Sequence, residues 1–388
     1  MLAEARAPAG SSVAGDALAL ARIAKLRDRG ALDPALSLIE QAGVSTSTAH
    51  FDLWMEISLL TGTEDRACNV LRAAPHLSAD YGTRIFCAAR ARAWEDAALT
   101  LGSAQALKLL SDEKLALLQR FLDPELTEGT APLPDLPDMD PLSFRLFEAI
   151  GEPLSTAPLA RPYAVADLRN LSGWKAQLEA AERLTQAGAL PDNVLLGLYS
   201  ERKAAASGGV WDRVAAMQLF ESALGTGSAD AVAKTLPTVW AGMQDARLEV
   251  PFAGLFADRL TTYALSGRAE QIAKTIGLLS PAYENYAKSL DASFSAQIAL
   301  GDTPTKRPNG VTETAIYNAF SGAQARQDLV TLVQNKRLGE AILLTLPLLH
   351  DGAQGNARSL QDALATLRAL GLEDTARRAA LQILLLER

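Results

Sequence analysis

Apolar residues recur at helical spacing along nearly the whole of this chain, in runs of roughly ten to eighteen residues broken by Gly, Pro or short polar turns. Leu18, Ala21, Ile23 and Leu26, then Leu32, Leu36 and Ile39, form the first pair of runs, separated at Asp28, Arg29 and Gly30. Helices this short and this tightly joined lie antiparallel to their neighbours and cover one another. The expected fold class is therefore all-α, an α-solenoid of stacked antiparallel helical hairpins winding as a right-handed superhelix. Ala and Leu dominate and aromatic residues are only 6%, a bias toward helix formers and away from sheet.

Further helices are expected near 48–61, 64–73, 78–91, 94–107 and 111–121, then from 142 to 300, with 282–300 read as one helix, and from 311 to 387 after a loop at Gly301–Gly310. Asp192 and Ser228 stand where helix starts need oxygen acceptors. Gly30, Ala35, Ile39 and Ala42 sit at offsets of five, nine and twelve. Ala97, Leu101 and Ala104 keep those offsets from Arg92, and Ala376, Ala380 and Ile383 keep them from Gly371. Small residues at such places let the second helix of a hairpin approach its neighbour closely. The spacing resembles the tetratricopeptide pattern, which implies tetratricopeptide-like stacking over about half of the chain, in irregular form because the Trp, Leu-Gly and Tyr signature of the first helix is missing.

Proline interrupts this pattern once. Eight of the eighteen prolines lie between Asp123 and Pro162, and residues 125–152 carry seven acids (Glu125, Glu128, Asp135, Asp138, Asp140, Glu148, Glu152) against the single base Arg145. No long helix runs through such a stretch. It divides the chain into an N-terminal hairpin block (1–122), an acidic, Pro-rich and mostly extended connector (123–162) and a C-terminal hairpin solenoid (163–388). Leu142, Phe144, Leu146, Phe147 and Ile150 make an apolar patch inside the connector, either a short helix docking it onto the solenoid or a partner-binding segment through Phe144 and Phe147.

Residues for catalysis are hard to find. His50, His76 and His350 each lack a second His, a Cys or a paired carboxylate at ligand spacing, so no metal and no cofactor is expected. No phosphate-binding loop, dinucleotide fingerprint, nucleophile elbow or HExxH occurs, and Ser207, Gly208 and Gly209 read as a hairpin turn. Acid pairs such as Asp112 with Glu113 and Glu179 with Glu182 belong on the wet faces of helices, although carboxylates distant in sequence can converge in a hydrolase. The five tryptophans read as wedges between helices, with Trp174 and Trp211, which begin their helices, as candidates for partner contact. Cys68 and Cys87 fall at similar heights on consecutive antiparallel helices, where they either pair as a disulfide or stand as two buried thiols.

The formal charge of −8 and pI near 5.1, without a Lys/Arg cluster, speak against nucleic acid as a partner. No apolar run is long enough to span a bilayer; the best, Ala341 to Leu349, is short and contains Pro347. An intact signal peptide is not expected at the start, yet Leu2 to Gly15 has the small-residue character of a mature exported domain.

The segments FDLWMEISLLTGTEDRACNVL (51–71), GWKAQLEAAERL (173–184) and SGGVWDRVAAMQLFESAL (207–224) resemble a group of uncharacterised alphaproteobacterial envelope proteins, some labelled "antifreeze". Ice-binding Ala-rich helices present regularly spaced Thr on a flat face, whereas Thr is scattered here. The expected function is a non-enzymatic, periplasmic protein-binding scaffold, accessory to the flagellar motor or a similar envelope machine, because stacked hairpins build extended binding surfaces. The competing classes are a peptidoglycan-associated enzyme or its helical accessory domain, and a cytoplasmic peptide-binding regulator.

Overall fold

The computed structural model describes residues 12–125, 129–134, 136, 138–169, 171–290 and 292–386. Glu128, Asp135 and Pro137 of the acidic stretch, and the chain start through Ser11, lie outside these residues. Regular structure among the described residues is helical throughout. The first helices are α1 (Ser12–Asp28), α2 (Leu32–Ala42), α3 (Thr48–Thr61), α4 (Glu64–Ala73), α5 (Tyr81–Arg90), α6 (Trp94–Ala106), α7 (Asp112–Leu122), α8 (Pro141–Ala149), α9 (Ala164–Asp167), α10 (Trp174–Thr185) and α11 (Asp192–Glu201). They are followed by α12 (Val210–Gly225), α13 (Ala229–Asp245), α14 (Glu249–Leu260), α15 (Gly267–Leu279), α16 (Tyr283–Lys288), α17 (Phe294–Leu300), α18 (Val311–Phe320), α19 (Gln327–Gln334), α20 (Leu338–Ala353), α21 (Ala357–Ala369) and α22 (Glu373–Leu385).

One device closes most hairpins. A residue in the left-handed region ends the first helix, and the amide after it bonds back five residues: Ala31 to Leu26 (2.9 Å), Ala93 to Ala88 (2.9 Å), Leu248 to Met243 (2.8 Å) and Leu372 to Leu367 (2.9 Å). The left-handed residues are Gly30, Arg92, Arg247 and Gly371, with φ of 80°, 62°, 53° and 76°. Gly30 has a second reason to be glycine, since a Cβ there would lie 2.5 Å from Leu184 Cδ2. Five and nine residues after each turn the next helix buries its packing face: Ala35 and Ile39, Ala97 and Leu101, Phe252 and Phe256, Ala376 and Ala380. The starts are capped by side-chain oxygens, among them Ser47 to the His50 amide, Asp80 to Gly82 and Thr83, and Ser228 to Ala231. Asp192 is the first residue of α11. The expected single helix over 282–300 is two, because Ser293 captures the Ala296 amide at 3.2 Å and starts α17 afresh.

The chain divides into two compact units, Met1–Leu195 and Leu196–Arg388. The division expected at 122 and 162 is thereby corrected: the Pro-rich stretch belongs inside the first unit. In that unit successive helices pack on one another from α1 to α8, and α8 and α9 return to α3. The helix expected from 142 is present as α8, with Asp140 capping it through the Ser143 amide at 3.0 Å and Pro141 at the first helical position. Tyr163, which donates to the Met139 carbonyl at 2.6 Å, packs edge-on against Phe144 with ring centroids 5.2 Å apart.

The second unit again pairs neighbours, α12 with α13, α14 with α15, α19 with α20 and α20 with α21, while α22 returns to α15 and α17. Its interior holds an aromatic knot of Phe220, Trp240, Phe252 and Phe256, the closest centroids 4.8 Å apart. A further core gathers Tyr283, Phe320, Leu360 and Leu364. Both units are thus all-α stacks of irregular helical hairpins.

Candidate protein-binding surfaces

Cys68 on α4 and Cys87 on α5 form a disulfide, with Cα atoms 4.9 Å apart. Both are buried. The pair staples two neighbouring helices in the middle of the first unit.

The connector aromatics stand elsewhere than a partner would need them. Phe144 and Phe147, read from sequence as partner contacts, are 2% and 1% exposed, because α8 sinks its apolar face between α3 and α7. Phe147 does line a cavity of about 270 Å³ with Ala116, Leu117, Leu133, Pro134 and Leu136. Trp174 is also corrected as a surface residue, being buried at the start of α10. Trp211 is half-buried on α12. The exposed tryptophan is Trp94, which begins α6.

Buried charge explains how α8, with one base and one acid, docks here. Glu64 at the start of α4 is almost fully buried and accepts from Arg145 of α8 at 2.7 Å, with Arg90 at 3.7 Å on the same oxygen. Arg145 also pairs with Glu148, which pairs with Arg169 beyond α9. The chain of alternating charges ties α4, α5, α8 and the segment after α9 together, each ion compensated by the next. Asp140 makes a second tie. Burial works against its ionisation, but Lys114 at 3.1 Å and the Ser143 amide and hydroxyl hold its carboxyl below the ordinary range. On α3, burial pushes the Glu56 carboxyl up, only partly offset by its partner Arg27. These groups are engaged in structural ion pairs and hydrogen bonds, while Asp112 and Glu113 line the cavity beside Phe147.

His50 is buried with its ring nitrogen against Ser47 Oγ at 2.8 Å, whereas His76 and His350 are exposed. Among the described residues no group of three or more His, Cys, Asp or Glu could hold a metal ion, and no helix is long and apolar enough to cross a membrane.

Exposed large apolar residues cluster on two helices of the described surface, beside single ones at Leu171, Val194, Leu219 and Val311. On α6, Trp94, Leu99 and, just beyond its end, Leu107 and Leu109 are exposed, Leu99 by 72%. On α20 the buried face is Ala341, Thr345 and Gly352, packed on α19 and α21. Its opposite ridge runs through Gly339, Leu343, Leu346, Pro347 and His350, all exposed, with Leu338 and Leu344 exposed beside it. A helix that is apolar on its wet side as well as its dry side has a surface unsuited to water alone. Sequence reading passed over these leucines, although the run Ala341 to Leu349, too short to span a membrane, was the visible sign. No protein-family model, curated protein or solved structure matches this chain.

Proposed function

We propose that this protein is a non-enzymatic, protein-binding scaffold of the bacterial envelope, built from irregular helical hairpins. The observation that carries the reading is the outward face of α20, where Leu343, Leu344 and Leu346 are each about half exposed on a helix whose other side already fills a core. Hairpin stacks supply rigid helix faces of this kind, and apolar helix faces bind protein. The Cys68–Cys87 disulfide supports an oxidising compartment such as the periplasm.

The test is affinity capture from detergent-solubilised envelope with the wild-type chain and with Leu346→Glu, both with the disulfide intact. The wild type retains a defined envelope protein and the variant loses it; identical retention by both removes the α20 face from the reading. The finer form, attachment to an envelope machine such as the flagellar motor, rests on class analogy and falls if the retained set contains no component of such a machine. Two titratable thiols in protein isolated from its native compartment would move the reading to the cytoplasm.

A further inference from the structure

One surface of the first unit is already occupied by a peptide-like segment of the chain itself. Residues 130–134, Thr-Ala-Pro-Leu-Pro, include two that precede proline, Ala131 and Leu133, and such residues are held extended. The segment is gripped by two oppositely charged side chains that also pair with each other, Arg120 of α7 and Glu152 just after α8. Arg120 Nη2 donates to Thr130 Oγ1 at 2.8 Å and to the Ala131 carbonyl at 2.9 Å, and Glu152 Oε2 accepts from the Leu133 amide at 3.0 Å. Pro132, between the two gripped backbone groups, has no amide donor to lose there. Leu133 anchors the segment, half-buried against the core, whereas Ala131, Pro132 and Pro134 are exposed. The fit is incomplete. The cavity of about 270 Å³ stays open between Ala116, Leu117 and Phe147 on one side and Leu133, Pro134 and Leu136 on the other, and Arg120 Nε is buried with no partner among the described residues.

We propose that this surface of α7 and α8 is a recognition groove for an extended, proline-containing peptide, and that residues 130–134 fill it as an intramolecular stand-in. Two of the three hydrogen bonds go to backbone groups, which any extended chain offers. Selectivity comes from the hydroxyl beside Arg120, from the preset backbone of proline and from a large apolar side chain where Leu133 stands. The partner is therefore an uncharged segment of another protein that reads Thr or Ser, any residue, Pro, then Leu. A contact held by three hydrogen bonds and one half-buried leucine lies at the weakly held end of a fold, and it opens while the helices beside it stay closed. The tethered segment competes at high effective concentration, so the groove accepts a partner best when that segment is loosened. This site is separate from the α20 face and does not depend on it.

The experiment is fluorescence anisotropy with a labelled synthetic peptide of residues 129–134, Gly-Thr-Ala-Pro-Leu-Pro, titrated with the full-length, disulfide-intact protein. Leu133→Ser removes the anchor of the tethered segment, and this variant binds the peptide about tenfold or more tightly than the wild type does. P132G/P134G leaves Leu133 and the gripped groups in place but loosens the segment; it also binds more tightly than wild type, and it carries the test should Leu133→Ser disturb the helical circular dichroism. Two altered peptides probe the grip without touching the protein. Replacing the peptide's Leu by Ser, or methylating that residue's amide nitrogen so that it no longer donates to Glu152, weakens binding by about tenfold or more. Equal binding by wild type and both variants, no binding by either variant, or a methylated peptide that binds as well as its parent overturns the proposal. None of these outcomes alters envelope capture through Leu346, so the scaffold reading stands or falls separately.

Discussion

Breaking the bond between Cys68 and Cys87 tests the organisation of the first unit directly. The two residues are 19 apart, and closing a loop of that length removes conformational entropy from the unfolded chain worth about 3 kcal/mol at 25 °C. Both sulfurs are buried between α4 and α5, so reduction leaves two thiols that pack as small apolar groups and isolates the cross-link from the packing. Replacing both by Ala adds the loss of the sulfur contacts, about 1 kcal/mol more. For a unit of the size of Met1–Leu195, each kcal/mol moves the midpoint by about 2–4 °C, so reduction lowers its transition by about 6–12 °C. Scanning calorimetry with and without reductant, with complete reduction verified by thiol titration, measures the shift. A transition that moves by less than about 1 °C after verified reduction refutes the assignment of the cross-link as a staple of this unit.

Three further perturbations follow from the packing. Arg145→Met leaves Glu64 buried beside Arg90 alone and costs about 3–5 kcal/mol in urea unfolding, whereas the Glu64→Gln, Arg145→Met double variant recovers a substantial part of it; equal losses in the two would show that the pairing is not the source. Asp140 has its folded pKa held below the ordinary carboxylate value, so its contribution is present at neutral pH and lost as the pH falls below about 4; the stability gap between wild type and Asp140→Asn should narrow over that window, and a constant gap down to about pH 2 would contradict the assignment. Gly352→Ala would place a Cβ 2.6 Å from Leu360 Cα, a backbone atom, so the usual helix gain of about 1 kcal/mol is outweighed by an overpacking cost of about 1–3 kcal/mol. Gly102→Ala on α6, where nothing lies within 4 Å, is the control and stabilises by about 0.5–1 kcal/mol; urea midpoints that rise for both would remove the close-approach argument.

Helix content and hairpin order were readable because periodicity and turn chemistry are local. The offsets of five and nine from Gly30, Arg92 and Gly371 pointed to Ala35, Ile39, Ala97, Leu101, Ala376 and Ala380, all of them buried. The same offsets hold after Gly227, Arg247 and Gly355, but there the buried residues are Val232 and Leu236, Phe252 and Phe256, Leu360 and Leu364. A search for small residues misses these, since what repeats is the backbone turn and the direction of the next helix rather than side-chain size. The connector misled for another reason. Its charge and proline content describe the segment, whereas its fate was set by Arg145 meeting Glu64, a partner 81 residues away that no local pattern reveals. Likewise, composition could not say which side of the leucine-rich run at 341–349 remains in water.

That distant partnership also governs the order of events as the chain emerges during synthesis. Hairpins such as α1 with α2 and α5 with α6 close between neighbours and need little loop entropy, so they form early. Helix α3 cannot be finished in this way, because part of its covering is α8, and the ion pair that seats α8 spans 81 residues. Until Pro141–Ala149 has emerged, a nascent first unit keeps an unfilled slot where Phe144 and Phe147 will sit. The insertion of this one short helix is therefore the long-range closure that turns a row of local hairpins into a closed unit.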